Sequence, residues 1–99
     1  MKYEMKRDGN ALTVLPEGRL DTTAAPEFQA ALQEQLEGTD ALIIDLEKLD
    51  YISSAGLRVL IFAHKEMKKK HGSMKLVRVN GIIMEIFEVT GFADILTIE

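Results

Sequence analysis

Residues 41–72 read ALIIDLEKLDYISSAGLRVLIFAHKEMKKKHG, and the pattern within them changes twice. Ala41-Leu42-Ile43-Ile44-Asp45-Leu46 is a short, nearly all-apolar run, which predicts a central β-strand covered on both faces. Glu47 to Ser53 breaks that run and reads as a loop. From Ser54 to about residue 70 the period becomes helical, with Leu57, Leu60, Ile61, His64 and Met67 on one face. Arg58, Lys65, Glu66, Lys68 and Lys69 lie largely elsewhere on that helix. Lys68-Lys69-Lys70 complements the negative end of its dipole, and Gly72 is expected to terminate it. Strand, loop and helix in this order are the repeating unit of a parallel α/β sheet.

The flanking segments extend the same pattern. Residues 2–7 and 11–18 surround Arg7-Asp8-Gly9-Asn10, a tight-turn sequence, and predict a hairpin whose first strand lies at an edge. Asp21-Thr22-Thr23 offers caps for a helix over about 24–37, with Pro26 tolerated in its first turn and Phe28, Ala31, Leu32 and Leu36 facing the core. Met74–Val79 predicts another strand, and Asn80 or Gly81 opens a third helix carrying Ile83, Ile86 and Phe87 and closed by Gly91. Ile95–Ile98 forms a last short strand or a docked tail. The order β-β-α-β-α-β-α predicts one mixed, largely parallel sheet within a single domain over residues 1–99. Parallel strands send their following loops to one edge, so Asp21, Ser53, Ser54 and Asn80 should gather there.

Composition narrows the chemistry. The 99 residues contain no cysteine, which excludes disulfides and thiolate catalysis and is compatible with a reducing cytoplasm. Sixteen acidic against 12 basic side chains give a net charge of −4, which argues against nucleic acid as a partner. No apolar run approaches the roughly 20 residues needed to span a bilayer, and MKYEMKRDGN carries no apolar signal segment; a cytoplasmic protein without membrane insertion is expected. The acids are scattered among caps and exposed faces, Asp21 and Asp45 being the one pair that could meet at the sheet edge. Neither a metal nor another cofactor is called for.

Ser54 has two readings. It can be the N-cap of the second helix, accepting a backbone N–H. It can also accept a phosphate, whose roughly −1.5 to −2 charges would sit beside helix N–H groups. Catalysis fits poorly, because Ser-Ser-Ala-Gly-Leu is not a nucleophile elbow. His64 lies ten residues further on, about 15 Å along a helix rising 1.5 Å per residue, too far to serve as its base.

Three segments together resemble a known family. Gly18-Arg19-Leu20-Asp21 followed by Thr23-Ala24, Asp45-Leu46 followed by Tyr51-Ile52-Ser53-Ser54-Ala55-Gly56-Leu57-Arg58-Val59-Leu60, and Phe87-Glu88-Val89-Thr90-Gly91-Phe92 are similar to the motifs of STAS domains. Those domains include the bacterial anti-sigma factor antagonists. The resemblance spans the whole chain in order. It implies that Ser54 is phosphorylated by an anti-sigma factor serine kinase of the GHKL ATPase type, and that a PP2C-type phosphatase reverses this. Unphosphorylated protein would bind the kinase and release a sigma factor. Ser53 stands where many members carry aspartate and is the second candidate for modification. Asp21, Thr22, Thr23, Ser53, Ser54, Ala55 and Asn80 would form the partner-binding edge, with no catalytic activity of the chain's own. The competing reading is a constitutive STAS adaptor subunit of a transport or signalling complex, in which Ser54 is only a cap.

Overall fold

The computed structural model describes residues 1–99. Strands β1 (Lys2–Asp8) and β2 (Ala11–Leu20) pair antiparallel from Lys2↔Glu17 to Asp8↔Ala11. Gly9 makes the turn between them at φ 61°, a conformation glycine adopts without Cβ strain. Helix α1 (Ala25–Leu36) leads to β3 (Ala41–Asp45), which runs parallel to the first half of β2, Ala11↔Ala41 to Val14↔Ile44. Helix α2 (Ser54–Lys69) leads to β5 (Ser73–Val77), parallel to β3 on its other side. Helix α3 (Gly81–Thr90) ends at Gly91, whose φ of 80° is the left-handed close expected there. A short 3-10 turn (Phe92–Asp94) follows. The tail then bonds β5 through Leu76 N to Thr97 O (2.8 Å) and Glu99 N to Leu76 O (2.9 Å).

The predicted mixed sheet is therefore present, with its N-terminal hairpin and three α-helices, and one strand was not foreseen. Leu49–Ile52, read from sequence as loop, is β4. It pairs parallel with the far half of β2 (Gly18↔Leu49, Arg19↔Tyr51, Leu20↔Ile52), across an irregularity between Gly18 and Arg19. Besides its hairpin partner β1, β2 thus serves two parallel partners in succession, β3 first and β4 second.

The core is one cluster of 22 buried apolar residues. Ala25, Phe28, Leu32 and Leu36 of α1, Leu57, Val59, Leu60, Ala63 and Met67 of α2, and Ile83 and Phe87 of α3 supply the helical share. Along β3, Leu42 and Ile44 are buried while Ala41 and Ile43 are only half-buried, so the expectation of full cover on both faces is corrected. The edge strand β1 is tied to α1 by an edge-to-face contact of Tyr3 with Phe28 (5.4 Å between centroids). Arg7 adds bonds to Gln35 O (2.7 Å) and Thr39 Oγ1 (2.8 Å). Lys70 reaches Leu36 O. No basic residue of α1 lies in its own last turn, so cations from β1 and the end of α2 meet its terminal carbonyls instead.

Candidate functional site

The site begins where β2 and β4 end side by side. Leu20 pairs with Ile52, and the ladder runs one bond further, from Ser53 N to Leu20 O at 3.0 Å. That bond holds Ser53 extended (φ −91°, ψ 175°), and α2 starts at the next residue. Ser53 is therefore the N-cap: its Oγ accepts from Gly56 N at 3.3 Å. The expectation that Ser54 caps the helix is corrected by one position. Ser54 is the first helical residue, solvent-exposed, and its hydroxyl takes part in no hydrogen bond within the chain.

Gly56 sets how closely α2 approaches the strand ends. A Cβ placed there would meet Leu20 O at 2.6 Å, Ile52 Cγ1 at 2.7 Å and Leu20 Cγ at 2.8 Å. Backbone and branched side chains leave no room for a methyl group, so the first turn of α2 sits directly on β2 and β4. Sequence reasoning named this glycine only as part of a motif. Its role is a close approach, which appears only once the two strands are paired.

Asp21 follows β2 as Ser53 follows β4, so the two occupy neighbouring positions at the same sheet edge. Asp21 Oδ1 accepts from Thr23 N (3.1 Å) and Ala24 N (3.0 Å), and its carbonyl accepts from Ala25 N (2.9 Å). It orders the turn ahead of α1 rather than capping the helix, whose N-cap is Ala24 with no side-chain bond. The turn is a ridge between two clefts. Thr22 lines one of about 450 Å³ with Pro26, Ala55 and Arg58. Asp21 and Thr23 line another of about 500 Å³ with Tyr3, Arg19 and Glu27. Arg19 is held in place there by stacking on Tyr51, its guanidinium carbon 4.4 Å from the ring centroid.

Asn80 is not brought into this group. Its Oδ1 accepts from Ile83 N (3.0 Å), while its Nδ2 donates to the carbonyls of Leu46 (3.1 Å), Glu47 (3.3 Å) and Leu49 (2.8 Å). It pins the β3–β4 corner at the start of β4, whereas Ser53 follows the end of that strand. Beside it, Arg78 adopts φ 50° and reaches buried Asp45 through Nε (2.8 Å) and Nη2 (2.6 Å), with Glu47 at 3.3 Å. The hydrogen bond to Asp45, then the charges of Asp45 and Glu47, push the Arg78 guanidinium further above its already high range. Asp45 Oδ1 also accepts from Glu47 N (3.1 Å), so this carboxylate is committed to the corner and does not pair with Asp21.

The STAS domain family model matches residues 2–99, and the chain belongs to the STAS domain family. Among curated relatives, it is 32% identical to the anti-sigma-B factor antagonist of Bacillus subtilis over 98 residues, covering 99% of this chain and 90% of that protein. It is 30% identical to the anti-sigma-B factor antagonist of Listeria monocytogenes, covering 95% and 83% respectively. Among solved structures it superposes on the anti-sigma factor antagonist SpoIIAA in its unphosphorylated form with a TM-score of 0.79, covering 99% of this chain and 87% of that one at 15% identity. The phosphorylated form of SpoIIAA gives a TM-score of 0.78, again at 15% identity, covering 99% and 91%. These two matches show the shared fold. No helix of the chain is long and apolar enough to cross a membrane.

Proposed function

We propose that the protein is an anti-sigma factor antagonist that works by partner switching, with Ser54 as the switch. The unphosphorylated chain binds an anti-sigma factor that is also a serine kinase of the GHKL ATPase type, and the sigma factor held by that kinase is released. The kinase transfers the γ-phosphoryl group of ATP to Ser54 Oγ, giving ADP and a proton. A PP2C-type phosphatase hydrolyses the phosphoserine and returns the free hydroxyl. The switch operates in the cytoplasm, the 99 residues act as a single domain, and the chain contributes recognition rather than catalysis.

One observation carries this reading: Ser54 is exposed at the helix start with an unused hydroxyl, because Ser53 performs the capping. A hydroxyl that is not needed by the fold can be modified without unfolding it. The new charge of about −1.5 to −2 meets helix N–H groups within the chain but must be desolvated in a complex. An unpaired buried charge costs several kcal/mol, and each 1.4 kcal/mol is tenfold in affinity. The ridge Asp21-Thr22-Thr23, with Ser53 and Ala55, is the surface we assign to the partner.

The test is incubation with the cognate kinase and ATP, followed by intact-mass measurement and phosphopeptide mapping. A single phosphate on Ser54 is expected, with loss of kinase binding. Phosphate confined to Ser53 overturns the assignment, and an unmodified chain that stays bound favours the adaptor reading. Asp21→Asn keeps a side-chain oxygen for Thr23 N and Ala24 N, so its melting temperature should hardly move. If the charge serves recognition, kinase binding or the phosphorylation rate falls, and wild-type values for both remove Asp21 from the interface.

A further inference from the structure

Away from Ser54, α3 presents an apolar face that the core does not use. Ile83 and Phe87 point inward and are fully buried, whereas Ile82 and Val89 are 62% and 81% exposed. Ile82, Glu85, Ile86 and Val89 line a shallow depression of about 260 Å³ with Thr90. Their spacing is i, i+3, i+4, i+7, the four-residue hole into which a facing helix inserts one side chain in knobs-into-holes packing. Thr90 does not compete for the space, since its hydroxyl is turned back onto Ile86 O at 2.7 Å. Ile95, after the short turn that follows the helix, is another large apolar side chain left 51% exposed.

The charges that this segment itself carries are of one sign. From Val79 to Glu99 the chain has four acids, Glu85, Glu88, Asp94 and Glu99, and neither lysine nor arginine. A second copy meeting this face would bring Glu85 and Glu88 against acids of the same segment with no cation there to pair them, which disfavours self-association. We propose that α3 is a docking site for a partner's amphipathic helix, whose large aliphatic residue fills the hole and whose flanking Lys or Arg side chains meet Glu85 and Glu88. This surface is independent of the Ser54 reading.

Two synthetic helices of a few heptads test it, with the same leucine stripe but flanked in one by lysine and in the other by glutamate. Each is titrated into isotope-labelled protein while the backbone amides are followed by NMR. The lysine-flanked helix should shift amides of residues 82–90 and bind at least about tenfold tighter than the glutamate-flanked one, with affinity falling as salt rises. Ile82→Ser with Val89→Ser should abolish those shifts at an unchanged melting temperature, since both side chains are exposed. Glu85→Lys with Glu88→Lys should invert the preference between the two helices. Equal binding of both peptides, shifts confined to other elements, or no binding overturns the proposal. So does concentration-dependent dimerisation of the 99-residue chain through these same amides, because the occupant is then a second copy.

Discussion

Two helices of this protein begin in the same way and leave different surfaces behind. α2 and α3 each follow a strand of the parallel set, and each is opened by a polar N-cap that accepts the N–H three residues on. Ser53 does so for Gly56 at 3.3 Å and Asn80 for Ile83 at 3.0 Å. At α3 the remaining capacity of the cap is also used, because Asn80 donates to three carbonyls of the β3–β4 corner. At α2 the cap is followed by a second serine whose hydroxyl bonds to nothing in the chain. A polar residue at a strand end is therefore not functional by position alone. What separates Ser54 from Asn80 is bonding capacity left free by the fold.

The largest effect is expected on the fully used side. Asn80→Ala removes a cap and also takes the side-chain donor from the carbonyls of Leu46, Glu47 and Leu49, the first and last of these bonds being partly buried, for a loss of about 2–4 kcal/mol in urea unfolding. Asn80→Asp sharpens the point. It keeps the acceptor for Ile83 N but sets a carboxylate against the carbonyls of Leu46, Glu47 and Leu49, so it should recover little stability. A near-wild-type Asn80→Asp would mean that only the capping half of Asn80 matters.

Next comes Gly56→Ala, on the α2 side. Its methyl group would lie under 3.0 Å from both Leu20 O and Ile52 Cγ1, and the helix must lift off the strand ends to admit it. Overpacking of this kind costs about 1–3 kcal/mol. The shift should also move the amide resonances of Ser53 and Ser54. Full stability with unmoved resonances would show that α2 is not seated on β2 and β4 as described.

How much of this was legible in the sequence differs by element. The α1 stripe Phe28, Ala31, Leu32, Leu36 and the α2 stripe from Leu57 to Met67 are strong periodic signals, and both helices lie where those signals put them, with Ala31 only half-buried. β4 was missed for a physical reason: Leu49-Asp50-Tyr51-Ile52 is four residues long, and its partner is the second half of a strand whose first half already pairs elsewhere. Nothing local announces that β2 changes partners at Gly18. Adjacent serines pose a similar problem at the site, since either hydroxyl can cap a helix. The choice is made by Leu20 O, which accepts from Ser53 N and keeps Ser53 in the ladder. Shared loop placement at one edge was readable for Asp21, Ser53 and Ser54, while the use of Asn80 inside the fold depended on where the β3–β4 corner lands.

The third effect is smaller. Ser53→Ala removes the hydroxyl that accepts from Gly56 N, and a lost cap of this type costs about 0.5–2 kcal/mol. Ser53→Asp should retain most of the stability, because aspartate is at least as good an N-cap and places its charge favourably at the helix start. Equal losses for alanine and aspartate would argue that the long 3.3 Å bond contributes nothing and that the turn is held by the backbone alone.

The smallest stability change is expected at Ser54, and that is what makes it decisive. From the sequence, the same substitution would remove a helix cap and cost as much as any other lost cap. With the cap on Ser53 and the Ser54 side chain in solvent, Ser54→Ala exchanges an exposed serine for the best helix former at the first helical position. Its unfolding free energy should stay within about 0.5 kcal/mol of wild type, the usual range for surface positions. The same variant should accept no phosphate and remain bound to the kinase in the presence of ATP. Paired measurements on Ser53→Ala and Ser54→Ala therefore divide the two adjacent hydroxyls between fold and regulation. If Ser54→Ala is the less stable of the two, the capping assignment is reversed, and Ser54 loses the spare hydroxyl on which its role as the switch rests.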